Sequence, residues 1–461
     1  MFIRKRITHL VCAITLVAAG HQCVAQNWLS MDKGLSCFYQ SIVYELTVDE
    51  ANNRLLASGN IYNDGYCEEY RAPAVWNGSN WANVGEAASS IYFLTTGIFR
   101  DTLYTSNRYY GDEYSNFLKW NGTTWDTIPN GPKVFGMYCM LEHDNHLYVS
   151  GSFQECAGDS ANLVFSYDGQ TVEPLVKWFG ETEFGNVMAF YRDTLFVGGR
   201  YFNDEDEVYN LGSVYDMKVH RVGQGLLSNC NVEAMAVHDG KLWLGGAFGV
   251  GNFDTDEYTY LAYYDGQHIY PSPWQPDGRV TALESYNNEL YMAGWFAHIE
   301  DLESHCVAKI NDFGYYSMNP DTVYDKFGNA ASYELGIVRD MEIWNDTLYI
   351  GGTFASIGLD TALNCVAKLN RSLSGTNQLL QSDISLYPNP TSDNITLETN
   401  SYFNQVAAIK IYDSVGRHIR SDTWPLGERK KEIKLETIAR GVYFLTVETN
   451  NGITTKRLVK N

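Results

Sequence analysis

Residues Val232 to Phe248 read VEAMAVHDGKLWLGGAF, and this stretch recurs in altered form along a chain of 461 residues. HLYVSGSF ends at Phe153, TLFVGGRY at Tyr201, ELYMAGWF at Phe296 and TLYIGGTF at Phe354. Looser copies, RLLASGNI and TLYTSNRY, end at Ile61 and Tyr109. The first apolar anchors are Leu55, Leu103, Leu147, Leu195, Leu242, Leu290 and Leu348, spaced by 48, 44, 48, 47, 48 and 58 residues.

Within the fifth copy, Glu233 to Val237 alternates and ends at His238-Asp239-Gly240, a tight-turn signal. Lys241 to Phe248 is a second apolar run, and a polar, acidic loop follows to Thr259. Tyr260 to Tyr264 reads as a third strand closed by Asp265-Gly266, and His268 to Pro271 as a short fourth. Four antiparallel strands repeated at a fixed period make a β-propeller blade. The turn before the second strand is Arg100-Asp101, Asp144-Asn145, Arg192-Asp193, Asn287-Asn288 or Asn345-Asp346 in other copies, and Asn and Asp tolerate the positive φ such turns need. The Gly245-Gly246 pair also suits a phosphate loop, but no helix pattern follows and no Lys-Ser/Thr completes that motif. Glycine on such a strand leaves room where sheets crowd together.

KLWLGGAF followed by YLAYYDGQ resembles a kelch-type propeller repeat. It is also similar to bacterial GGxF…WDG repeats, with WNG at Trp76 to Gly78 and Trp120 to Gly122. The resemblance covers most of residues 26–370 and implies a fold more than a function. The expected fold class is all-β: a seven-bladed, kelch-like propeller followed by a small C-terminal β-sandwich. Six or eight blades fit the same spacing, because the second copy is degenerate and the last interval long. NWLSMDKGLSC after Gln26 resembles NWANVGEAASS from Asn80, a fourth strand, whereas the last repeat lacks one. Trp28 to Met31 is therefore expected to complete the last sheet and remove its edge.

At the start, Arg4, Lys5 and Arg6 precede an apolar stretch from Leu10 to Ala19 and the small residues around Ala25, the pattern of a signal peptide cut before Gln26. The expected domains are a signal peptide (1–25), a propeller (26–370), a polar linker (371–382) and a C-terminal domain (383–461). Charge marks the boundary: residues 26–382 hold 19 Lys+Arg against 46 Asp+Glu, while 383–461 hold 11 against 9. Strands at Ile395 to Leu397, Ala408 to Tyr412, Ile433 to Leu435 and Val442 to Val447 read as a sandwich. This segment resembles the type A C-terminal sorting domain of the type IX secretion system of Bacteroidota. The matching stretches are LYPNP with Pro388, Asn389 and Pro390, then IYD with Gly416, GVYF with Gly441 and Tyr443, and KRLVK with Lys456, Leu458 and Lys460. The resemblance implies export across the outer membrane, domain removal by a sorting peptidase, and a secreted or outer-surface destination.

The formal net charge of −22 argues against nucleic acid as a partner. No long apolar run follows the signal, so no membrane span is expected. Seven cysteines follow it: Cys37, Cys67, Cys139, Cys156, Cys230, Cys306 and Cys365. Export permits disulfides, and Cys306–Cys365, Cys37–Cys67 and Cys139–Cys156 are candidates; buried thiols fit Cys306 and Cys365 equally well.

In a four-stranded meander, the loop between the second and third strands opens on the same face as the link to the next blade. These loops carry acids and aromatics. The candidate ligand-binding residues are Tyr110, Asp112, Tyr114, Asp204, Asp206, Phe253, Asp254, Asp256, Trp295 and Asp301. Asp254 and Asp256 have carboxylate spacing that suits Ca²⁺ but lack a full EF-hand loop. His298 and His305, near Glu300, Asp301 and Glu303, are transition-metal candidates. No cofactor is expected otherwise. There is no HExxH, GxSxG or sialidase-type Asp box, and the Tyr, His and Cys–Tyr set of kelch-like copper oxidases cannot be placed. The expected function is thus non-catalytic binding of an extracellular glycan or peptide. Alternatives are a carbohydrate-active or oxidative enzyme with its site in the channel, and a structural or adhesion component. Convergent buried carboxylates in the channel would favour the enzyme.

Overall fold

The computed structural model describes residues 28–32, 34–35, 41–61, 73–85, 92–108, 116–129, 131–156, 163–177, 184–203, 207–227, 231–250, 258–311, 314–319, 322–324, 336–357, 363–370, 384–399, 407–413, 418–425, 428–435, 438–449 and 452–461.

The repeats fold into antiparallel meanders of four strands, numbered here as sheets 1 to 7 in chain order. Their leading strands are Ile42–Asp49, Tyr92–Phe99, Lys133–His143, Phe184–Tyr191, Asn231–His238, Arg279–Tyr286 and Val338–Trp344. Sheets 1 and 2 are joined by a single pairing, Gly59 with Phe93. As the sequence suggests, Trp28–Ser30 pairs with Val366–Leu369 and supplies the fourth strand of sheet 7. Each leading strand lies against that of the next sheet, and the seventh lies against the first. The long last interval accommodates an extra pairing, Val323–Tyr324 with Ser356–Ile357.

The turns obey the chemistry of their residues. Asp144 and Asn145 have φ of 45° and 62°, and Asn345 and Asp346 have 49° and 57°. Two successive positive φ values match the right-handed twist of the strands they join. Arg100 and Arg192 take the same conformation, and each guanidinium stacks on the preceding ring, Phe99 at 4.6 Å and Tyr191 at 4.8 Å. Between the third and fourth strands, Asn77, Asn121, Asp168 and Asp265 each accept two main-chain N–H groups through one side-chain oxygen. That local closure is why WNG and YDG recur.

The core is distributed between consecutive sheets. Leu163, Val164 and Val197 pack sheet 3 on sheet 4, and Tyr191, Phe196 and Leu244 pack sheet 4 on sheet 5. Val43, Leu46 and Tyr349 pack sheet 7 on sheet 1. The second strands are buried almost throughout, as in Lys241–Phe248, whereas the leading strands alternate between buried and half-buried positions.

The glycine pair follows from this packing. A Cβ at Gly351 would lie 2.6 Å from Val43 Cγ1 of the neighbouring sheet, and one at Gly352 only 2.0 Å from the Ile337 carbonyl oxygen of its own sheet. Gly245 and Gly246 repeat both relations, with Val280 and the Asn231 carbonyl. The first glycine seats the next sheet; the second seats a carbonyl displaced by a bulge.

Among the described cysteines, Cys139, Cys156, Cys306 and Cys365 form no disulfide with one another. The candidate Cys306–Cys365 and Cys139–Cys156 bridges are therefore corrected, and the buried-thiol alternative holds for Cys306 and Cys365. Cys306 Sγ donates to the Gly336 carbonyl at 3.8 Å and Cys365 Sγ to the Ser41 carbonyl at 3.2 Å, so each buried thiol contacts the chain entering the next sheet. Cys37, Cys67 and Cys230 lie outside the described residues.

The C-terminal segment forms a three-stranded sheet of Ile384–Tyr387, Asn394–Thr399 and Lys430–Lys434. A four-stranded sheet follows the order His418–Trp424, Ala407–Asp413, Gly441–Thr449, Gly452–Lys460. Ile395, Ile411, Trp424, Leu445 and Leu458 fill the space between them. Among the described residues, no helix is long and apolar enough to cross a membrane.

Replacing Leu348, which is fully buried, with Ala should cost roughly 2–5 kcal/mol. Gly352→Ala should cost about 1–3 kcal/mol through overpacking against the Ile337 carbonyl. Denaturant unfolding of each variant checks both, and an unchanged midpoint for Gly352→Ala would refute the packing role of the glycine.

Candidate binding site

Each leading strand carries a register shift at a corresponding place: Val43/Glu45, Phe93/Thr96, Met137/Cys139, Gly185/Val187, Val232/Ala234, Val280/Ala282 and Val338/Asp340. A bulge adds a residue with no ladder partner and re-aims its side chain. The added residues are Tyr44, Tyr138, Asn186, Glu233, Thr281 and Arg339 in sheets 1 and 3 to 7. They meet side chains or main chain of neighbouring sheets. Arg339 Cζ lies 5.5 Å from the Tyr44 ring centre, and the Tyr138 and Phe184 rings are 5.6 Å apart. Asn186 donates to Asn231 at 2.7 Å, Arg279 pairs with Glu233 at 3.2 Å, and Thr281 donates to the Val338 carbonyl at 2.7 Å. These groups form a mouth on the face where the leading strands begin, with Phe135 and Tyr138 exposed at 40% and 37%.

Further along the leading strands stand four half-buried carboxyls: Glu45, Glu284, Asp340 and Glu342. Two act as latches. Asp340 Oδ2 accepts the Leu46 N–H at 2.7 Å, and Glu45 Oε2 accepts the Thr96 N–H at 2.7 Å, each across a sheet boundary. Burial pushes Glu45 up to about 8, helped by the nearby Asp340 charge. Burial likewise raises Glu284 and Asp340 to about 7, with Asp340 adding to the shift at Glu284. Glu342 is driven well above the usual carboxylate range by burial and then by Asp340, Glu284 and Glu45. Charged carboxylates in mutual range cannot all ionise cheaply, so protons are retained toward neutral pH.

Trp295, one of the residues singled out in the sequence, stands directly opposite Arg279 in the ladder of sheet 6. It lines a cavity of about 290 Å³ together with Asp277, Gly278, Phe296, Ala297, His305 and Thr322. Asp277 braces one wall by accepting the main-chain N–H groups of Ala297 and His298 at 2.8 and 3.0 Å. His298 pairs with Asp277 at 3.0 Å and His305 with Glu303 at 3.0 Å. Each histidine thus faces its own carboxylate, and no group of three metal-ligating side chains is gathered among the described residues. Asp301 is engaged by the Tyr315 hydroxyl at 2.9 Å. Tyr110, Asp112, Tyr114, Asp204, Asp206, Phe253, Asp254 and Asp256 lie outside the described residues.

In the C-terminal domain, the sorting residues clamp the last strand. Asn389 donates from Nδ2 to the Arg457 carbonyl at 2.6 Å and accepts the Val459 N–H at 2.8 Å. It sits between Pro388 and Pro390, both preceded by cis peptide bonds. The Lys460 ammonium is buried and donates to the carbonyls of Leu435 and Ile438. Leu458 is fully buried, and Tyr443, two residues after Gly441, donates to the Ala439 carbonyl at 2.9 Å. Lys456 is half-buried in the same strand, while Gly416 lies outside the described residues.

Residues 385–461 match the model of the secretion system C-terminal sorting domain. The chain therefore carries a type IX sorting domain and is a secreted or cell-surface protein, served by the type IX machinery. No curated protein sequence matches the chain. Among solved structures it is similar to a fungal alcohol oxidase of the AA5 family in complex with copper, with a TM-score of 0.38 and 10% identity over 94% of this chain and 99% of that one. A luciferin-regenerating enzyme gives 0.31 and 9% over 74% and 95%, and a glycoside hydrolase 0.28 and 9% over 80% and 94%. No activity is transferred from likenesses this distant.

The raised carboxyls make a signed prediction. Their folded values exceed the unfolded ones, so the folded chain binds more protons between them and stability falls as pH rises through about 7 to 8. Glu284→Gln removes one such group. Discounted for its partial exposure, this should stabilise the chain by about 1–2 kcal/mol near pH 9 relative to wild type, and less near pH 5. Chemical denaturation at both pH values checks it; an equal effect at both contradicts the assignment.

Proposed function

We propose that this exported chain carries a closed seven-bladed β-propeller whose mouth face binds a glycan without covalent chemistry. The contacts of sheet 7 with sheet 1, through Asp340 to Leu46 and Gly351 to Val43, support closure. The proposed limits are a signal peptide at 1–25, the propeller at 26–370, a linker at 371–382 and the sorting domain at 383–461. The observation that carries the binding reading is Trp295 beside a cavity of about 290 Å³. That is near the lower end of small-molecule sites, roughly 300–1,000 Å³. An indole face suits the C–H face of a sugar ring, and the polar groups of Asp277 and His305 supply directional contacts. The loops bearing Tyr110, Asp112, Tyr114, Asp204, Asp206, Phe253, Asp254, Asp256 and Asp301 would extend the same face.

A second reading, hydrolysis of a glycosidic bond in the interior, is favoured by the carboxyls of Glu284 and Glu342. Burial keeps both protonated toward neutral pH, the state a general acid needs, and a partner carboxylate completes such a site. Release of reducing sugar, lost in Glu284→Gln or Glu342→Gln, would establish it in place of simple binding.

The test of the binding reading is titration of the full chain with a panel of neutral and acidic oligosaccharides. Trp295→Ala should weaken the strongest interaction by about tenfold or more. Absence of binding across the panel, or binding indifferent to Trp295, would overturn the reading.

A further inference from the structure

The stretches that mark the sorting domain divide into two groups of side chains. One group faces inward and is accounted for by the fold. Tyr443 and Leu458 are buried among Ile411, Trp424 and Leu445, and the Lys460 ammonium donates to the Leu435 and Ile438 carbonyls. Asn389 is engaged by the main chain of Arg457 and Val459. These residues hold the last strand in place and offer a partner nothing to read.

The other group has no such role. In the four-stranded sheet, Tyr412 stands opposite Phe444 and Phe444 opposite Arg457, while Val442 stands opposite Val459. Side chains alternate between the faces of a strand. With Ile411, Tyr443, Leu445 and Leu458 turned into the core, Tyr412, Val442, Phe444, Arg457 and Val459 face outward. Phe444 is exposed at 39%, Arg457 is exposed, and Tyr412, Val442 and Val459 are half-buried. The row continues to His418, opposite Tyr412, with ring centres 5.5 Å apart. Lys410 and Ser421, paired in the ladder, flank it with polar groups.

IYD, GVYF and KRLVK are far apart in the sequence, yet each supplies a residue to this one row. An apolar patch rimmed by polar groups marks an interaction surface. Aromatic residues and arginine are the types enriched at the centres of protein interfaces. The match of residues 385–461 to a sorting domain identifies the occupant as a protein of the type IX machinery.

We propose that the outward row of Tyr412, Phe444 and Arg457, with Val442 and Val459 beside it, is the surface by which the type IX machinery binds the sorting domain. The partner offers an apolar recess to Phe444 and an acidic group to Arg457. The inward residues of the same stretches act by holding this row in register. The proposal is independent of what the repeat body binds.

The experiment is export of the full chain from a Bacteroidota host with a working type IX system, read as the share of chain outside the cell against the share left in the periplasm. Phe444→Ser and Arg457→Glu should each lower the outside share by about tenfold or more, the loss that follows removal of a central interface residue. The chain left inside should be folded, with the wild-type unfolding midpoint once purified. Arg457 is exposed, so Arg457→Glu keeps the test decisive where Phe444→Ser fails to fold. Glu432→Lys reverses an exposed charge on the three-stranded sheet and should be exported like wild type. Wild-type export of Arg457→Glu overturns the proposal. So does an equal loss for Glu432→Lys, since export would then follow the charge of the whole domain. A dimer in sedimentation that Arg457→Glu dissociates, with export unchanged, assigns the row to a second copy of this chain and overturns it as well.

Discussion

The close approach of the leading strands is the constraint on which the rest of the body depends. Each carries a bulge, and in sheets 1 and 3 to 7 the bulge brings a carbonyl against the second strand where a glycine stands. The Ile337 oxygen would lie 2.0 Å from a Cβ at Gly352, and the Ile42 oxygen 1.9 Å from one at Gly59. The same bulges turn Tyr44, Tyr138, Asn186, Glu233, Thr281 and Arg339 toward neighbouring sheets. A packing requirement and the proposed binding surface thus have one cause.

Crowding also explains the polar interior. Main-chain N–H groups near a bulge lose their ladder partners, and a buried N–H needs an acceptor. Asp340 and Glu45 provide it across sheet boundaries, at the expense of holding carboxyls where ionisation is disfavoured. Cys306 and Cys365 serve a milder form of the same purpose, each donating to a carbonyl of the chain entering the next sheet. Their thiols are useful there because they are small and weakly polar, which accounts for their matching positions without a bridge.

Local chemistry was legible in the sequence. Leu anchors at a regular spacing, Asn-Asp turns with positive φ, and Trp28 as a displaced fourth strand all depend on a few neighbouring residues. So did the sorting domain, whose Asn389 and Lys460 hold the last strand in place. The interior carboxyls were not legible, because Asp340 and Leu46 are 294 residues apart and nothing in VRDME or YELTV marks them as neighbours. Trp295 was found because it closes a recognisable second strand; its partners Asp277 and His305 come from segments on either side.

The most direct test of the account is a crystal structure of the full chain soaked with the oligosaccharide that it binds most tightly. The account predicts sugar density in the cavity lined by Trp295, with a ring over its indole. Density elsewhere on the chain, with the mouth holding only solvent, would contradict it.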